Sequence, residues 1–173
     1  MPFTPLHFGP GLIVKAAAPS QFSLTAYTLA NVAVDLEPLY HIVRGDYPLH
    51  GPFHTLPLAT LTGLLVGVVV SLLSRIFRAF QLQDIARKYP DALHAEFRLP
   101  TSIIGGVLGG LSHSLIDSLI YTDFHPFAPL SVKIPLYGLI APGDLSHGLF
   151  LTGLIGVVLL ALRALLIWRV NRG

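Results

Sequence analysis

An imidazole and a carboxylate sit inside an apolar run long enough to cross a membrane, and this constrains the chain more than any other feature. The run is residues 101–121, TSIIGGVLGGLSHSLIDSLIY, and it carries His113 and Asp117. Helical residues four apart share a face. Gly105, Gly109, His113 and Asp117 therefore form one row, and Ser102, Gly106, Gly110, Ser114 and Ser118 the next. The remaining surface is Ile103, Ile104, Val107, Leu108, Leu111, Leu115, Ile116 and Leu119. One side suits lipid, and the other suits close helix neighbours and polar chemistry. Ionisable groups inside a membrane are costly, so the pair marks a functional site whose partners must come from elsewhere in the chain.

The composition agrees with a membrane setting. Charged residues are 12% of the chain and hydrophobic residues 53%, against about 25% charged in soluble proteins. Two further apolar runs, 57–74 and 145–168, are long enough to span, the shorter being about 27 Å as a helix. Thr60, Gly63, Gly67, Ser71 and Ser74 give the first a small-residue seam, and Gly148, Thr152 and Gly156 give the last a small face. The expected fold is an all-α integral membrane protein forming one domain, with about three transmembrane helices. Residues 1–56 add an N-terminal re-entrant or interfacial helical hairpin and a His-rich loop. The hairpin follows from two short apolar segments, 12–18 and 22–34, parted by Pro19-Ser20-Gln21. Pro38 disfavours a helical Glu37, so Asp35-Leu36-Glu37-Pro38 reads as extended, with both carboxylates pointing the same way.

The basic residues form no run with interleaved aromatics, which excludes nucleic acid as a partner and leaves them as topology signals. Arg75, Arg78, Arg87, Lys88 and Arg98 lie in the loop 75–98, and Arg163, Arg169 and Arg172 near the C-terminus. Placing that loop in the cytoplasm places the C-terminus there too. His50, His54, His113, Asp117, His125 and His147 then fall towards the outer side, and the hairpin brings His7 and Asp35 with them. His41, His94 and His147 read as loop or interfacial histidines, and Asp123 and His125 as supporting groups.

Cysteine is absent, so any metal must use nitrogen and oxygen ligands. His50 and His54 have the i, i+4 spacing that aims two imidazoles at one ion if Pro52 sits in the first helical turn. His113 and Asp117 repeat that spacing. With His7 and Asp35 they make a ligand set for a divalent ion of zinc type, with Asp117 or Glu37 as general base. If the second span ends near Tyr121, His113 lies about 12 Å below its end. That depth suits a substrate drawn from the lipid bilayer.

The segments MPFTPLHFGPGLIVKA, ANVAVDLEPLY, PLHGPFHT and GGLSHSLIDS, in this order, resemble the YdjM-like inner-membrane proteins, a family described as metal-dependent hydrolases. The resemblance covers residues 1 to about 130. It implies a prokaryotic inner-membrane protein with His7, Asp35, His54, His113 and Asp117 as ligands. Where that family often has a further histidine, this chain has Tyr121. Other readings of the same residues stay open: a non-enzymatic metal-binding or transport protein, or a haem protein with His54 and His113 as axial ligands. A transport path needs polar groups on the inner side, where only Ser71, Ser74, Thr101 and Ser102 stand unless a homo-oligomer supplies more.

Overall fold

The computed structural model describes residues 4–79, 96–123, 125–131, 133 and 136–170, with the side chains of 74–79 left aside. Arg87, Lys88, His94 and Arg172 lie outside the described residues. All the regular structure described is helical, and three helices are long and apolar enough to cross a membrane. The helices are α1 (Phe8–Ala17), α2 (Leu24–Arg44), α3 (Leu56–Ala79), α4 (Leu99–Asp117) and α5 (Pro142–Val170), with 3-10 turns at Thr4–His7 and Pro52–His54.

The two small-residue rows decide the packing, because α4 is wedged between α2 and α3 and meets both backbone to backbone. Along the first row, a Cβ at Gly105 would strike the Ser23 carbonyl, and one at Gly109 would lie 2.5 Å from the Tyr27 carbonyl. Along the second, Gly106 is closed by the Gly63 carbonyl and Gly110 by that of Ala59, while Gly67 meets the Ser102 carbonyl. Helix α2 thus runs parallel to α4, residue for residue 82 apart, as in the Asn31–His113 pair. Helix α3 runs antiparallel to it. Each four-residue step on α4 matches a four-residue step on each neighbour, the close approach that small residues permit in membrane helices.

The hairpin is deeper than its sequence suggested. Helix α1 leaves His7 and ends at a turn braced by Lys15, whose Nζ donates to the carbonyls of Pro19 and Phe22, each at 2.9 Å, and pairs with Glu96. Glu96 in turn accepts from the Thr25 N–H at 2.9 Å, and Ser23 caps α2 by accepting from the Ala26 N–H. Helix α2 then returns over 21 residues, about 31 Å. It exposes an apolar stripe of Leu29, Val32, Leu36, Leu39 and Val43. The expected break before Pro38 does not occur: the helix runs through it to Gly45, which ends it with φ 70°. Pro38 leaves the Val34 carbonyl without its helical donor, but Glu37 is anchored by the Gly51 and Phe53 N–H groups and by His54. Those tertiary bonds override the local preference.

The other boundaries shift modestly. Helix α3 continues past residue 74 to Ala79, so the start of the expected basic loop is helical, and α4 ends at Asp117, not Tyr121. Helix α5 packs on α1: Gly9 meets the Leu149 carbonyl and Thr152, and Gly156 meets Leu12. Of the expected small face, Thr152 and Gly156 meet α1, whereas a Cβ at Gly148 would touch nothing; the buried residues of α5 are Leu145, Leu149 and Gly156. Numbers rise together along α1 and α5, so the C-terminal end of α5 lies at the end of the bundle where the hairpin turns.

Candidate metal centre

At the other end of the bundle three segments meet. Asp35 comes from α2, His54 from the 3-10 turn before α3, and His113 and Asp117 from the polar row of α4. One ligand atom from each lies within 4.8 Å of all the others, a group that can hold a metal ion. His54 and His113 are fully buried and Asp117 is 3% exposed, whereas the Asp35 side chain is 25% exposed. Access to the cluster is therefore past Asp35.

Each of the four turns one atom inward and has its other atom tied down. Asn31 Nδ2 donates to the Tyr27 carbonyl at 2.8 Å, so its Oδ1 faces His113 Nδ1 at 3.2 Å and assigns the proton to that nitrogen. The lone pair of His113 Nε2 then points inward, with Asp35 Oδ1 at 3.2 Å and Asp117 Oδ2 at 3.4 Å, yet it makes no hydrogen bond among the described residues. A lone pair facing two carboxylate oxygens calls for a proton or a metal ion between them. His54 Nδ1 bonds Glu37 Oε2 at 3.0 Å, turning Nε2 towards Asp117 Oδ2 and Asp35 Oδ1 at 3.9 and 4.0 Å. The outer oxygen of Asp35 accepts from the Thr4 hydroxyl. That of Asp117 accepts from His7 Nε2 at 3.1 Å. Such paired supports are what hold metal-binding imidazoles and carboxylates in one orientation.

Burial is the largest influence on His54 and pushes its imidazole below the ordinary value, outweighing the Glu37 bond that raises it. It is neutral at pH 7, the form that binds a metal.

The remaining candidates surround this group. His7 stacks on His113, ring centroids 4.5 Å apart, and acts through Asp117. His50 is not on a helix with His54, because the 3-10 turn begins only at Pro52; the expected i, i+4 geometry is replaced by an edge-to-face contact at 4.7 Å. His50 Nδ1 bonds Asp123 Oδ1 at 2.8 Å and its Nε2 stands 4.0 Å from Asp117 Oδ2. Burial alone pushes the Asp123 carboxyl up, but the N–H groups of His50 and Leu49 and the His50 ring together hold it below the usual carboxylate range. Glu37 has both oxygens engaged by Gly51, Phe53 and His54, so it positions His54 and does not face the cluster as a base. His125 and His147 are exposed, and His41 pairs with Asp46 beyond the cluster.

Two readings drawn from sequence meet this geometry poorly. The His54 and His113 rings are 5.4 Å apart and tilted by 59°, with Asp35 and Asp117 oxygens against both; no macrocycle fits between them. Towards the far end, the glycine rows bring α4 against the backbones of α2 and α3, which closes a transport path along that side. Asn31 and Thr4 were missed as contributors, although Asn31 lies four residues before Asp35 and shares its helical face. Compared with known proteins, the chain matches no family model, no curated protein and no solved structure.

Proposed function

We propose that this chain is a membrane-embedded metal-dependent hydrolase, cleaving a carboxylic ester or phosphoester of a lipid at a zinc site formed by Asp35, His54, His113 and Asp117. The observation that carries the reading is the inward lone pair of His113, set between two carboxylate oxygens and fixed by Asn31. Two imidazoles and two carboxylates suit zinc, and any remaining coordination position would serve catalysis. A zinc ion there supplies a bound water of lowered pKa and polarises a substrate oxygen.

The protein's own groups do the rest. His50, backed by Asp123, is the proton acceptor the geometry favours over Glu37, since its Nε2 is turned towards Asp117. Asp117 is held by His7, and Asp35 opens the site to its surroundings. A recess of about 320 Å³, lined by Leu56, Pro57, Thr60, Pro126, Phe127 and Leu130, adjoins the His54 turn. Its size falls at the small end of the ~300–1,000 Å³ of ligand pockets, and its apolar lining supports a lipid chain as occupant. The order of the motifs resembles the YdjM-like family, which supports a prokaryotic inner-membrane location. The basic residues Lys15 and Arg98 and the C-terminal end of α5 share the end opposite the cluster, which supports a cytoplasmic C-terminus and an outward-facing site.

The test is elemental analysis of the protein purified in detergent, with hydrolysis of p-nitrophenyl butyrate and bis(p-nitrophenyl) phosphate followed alongside. Stoichiometric zinc that His113→Ala and Asp117→Ala each abolish, with loss of hydrolysis, is the expected result. A folded wild-type protein that takes up no metal overturns the reading.

A further inference from the structure

The cluster has many acceptors and few donors for a substrate. Two carboxylates and two neutral imidazoles around a divalent ion leave no net positive charge. Among the described residues no lysine or arginine side chain reaches it: Lys15 is bound to Glu96 at the far end, and Arg44 is engaged with Asp46 and Tyr40. An oxygen that gains negative charge during hydrolysis must therefore meet a neutral donor as well as the metal.

The hydroxyls of the segments forming the cluster are nearly all committed. Thr4 donates to Asp35, Ser114 to the His54 carbonyl, Ser118 to the Leu115 carbonyl, Thr55 to the Pro52 carbonyl, and Tyr27 to the His7 carbonyl. Tyr121 is different. Its backbone N–H bonds the Asp117 carbonyl at 3.0 Å, so the turn that follows α4 keeps it beside Asp117. Its ring packs on His50 with centroids 4.1 Å apart. The side chain is neither fully buried nor fully exposed, and its hydroxyl has no hydrogen-bond partner among the described residues. Burial first, then the carboxylates of Asp117, Asp35 and Asp123, push the phenol up, so it stays protonated.

We infer that the Tyr121 hydroxyl is the hydrogen-bond donor for the oxyanion of a substrate held at the metal, and that the substrate is an ester bearing at most one negative charge. The inference rests on the reading of the cluster as a metal site. The charge limit follows from the lack of a cationic clamp among the described residues together with Glu37 and Asp123 nearby: a dianionic phosphomonoester would be repelled, whereas a neutral ester or a phosphodiester would not. His50 holds the ring in place, so Tyr121→Phe keeps the packing and removes only the donor.

The experiment is calorimetric titration of zinc-loaded protein in detergent with diethyl phosphate, a monoanionic diester, and with inorganic phosphate at pH 8. Tyr121→Phe is expected to bind diethyl phosphate about tenfold or more weakly, with unchanged zinc content and melting temperature. Inorganic phosphate is expected to bind the wild type more weakly than the diester does. Equal diester affinity in both proteins overturns the donor role, as does loss of zinc or of melting temperature in Tyr121→Phe, which would make the phenol a ligand or a brace. Tighter binding of inorganic phosphate overturns the charge limit. A wild type that binds zinc but not the diester sinks this inference alone, whereas one that binds no zinc sinks the proposed function with it.

Discussion

Among the described residues the bundle gathers charge at each end, partly buried at the hairpin turn and buried at the cluster, and the two groups are built on opposite principles. At the hairpin turn every strong group closes on another: Lys15 on two carbonyls and Glu96, Glu96 on the Thr25 N–H, and Ser23 on the Glu96 carbonyl and the Ala26 N–H. At the cluster the outer atoms are satisfied just as fully, by Thr4, Asn31, Glu37 and His7. The inner atoms of His113, Asp35 and Asp117 are not. Carboxylate oxygens and an imidazole lone pair are gathered where they repel one another. A charge group that exists to hold a fold has no such surplus, and here the surplus marks the end that can hold a metal ion.

Three measurements can break or sharpen that contrast. The largest effect belongs to the hairpin brace: Lys15→Met should lower unfolding stability by about 3 kcal/mol, because it strands a partly buried carboxylate and two carbonyls, while metal affinity is unchanged. Unfolding in detergent checks the first part and chelator competition the second; a matching loss of metal affinity would mean that the two ends are not independent. Next, Asn31→Leu should weaken metal binding by about 10–100-fold, the usual cost of removing the support of a metal ligand, with the stoichiometry restored at high metal. The smallest effect concerns Asp123. Its carboxyl is lower in the folded protein than the ordinary 3.8, so its contribution is complete above that pH and is lost as the pH falls through the lower, folded value. Acid unfolding of Asp123→Asn should lack that part of the decline, as circular dichroism between pH 5 and 2 would show.

Much of this was legible from side-chain periodicity. Both small rows of α4 were visible because membrane contacts select glycine and serine at four-residue steps, and the seam on α3 followed the same rule at Gly63 and Gly67. The supports were hidden because they act between segments far apart in sequence, and because a local rule misled. Reading Pro38 as a helix end concealed that Tyr27, Asn31 and Asp35 form one face, which would have paired with Gly109, His113 and Asp117. His50 was misplaced for the opposite reason: a helical spacing was applied where the chain makes only a single 3-10 turn. The depth of the site changed with the end of α4, since His113 now lies only about 6 Å below that end, close to the membrane boundary.

The matched steps of four between α2 and α4 have a consequence for register. Sliding α2 by one helical turn would still set backbone against glycine at most positions, so packing alone hardly distinguishes the two alignments. The same slip would part Asn31 from His113 and move Asp35 a full turn from its partners. The polar end is thus a vernier stop on an otherwise repetitive rail, and the residues that can hold a metal ion are also the ones that tell the two helices where to halt.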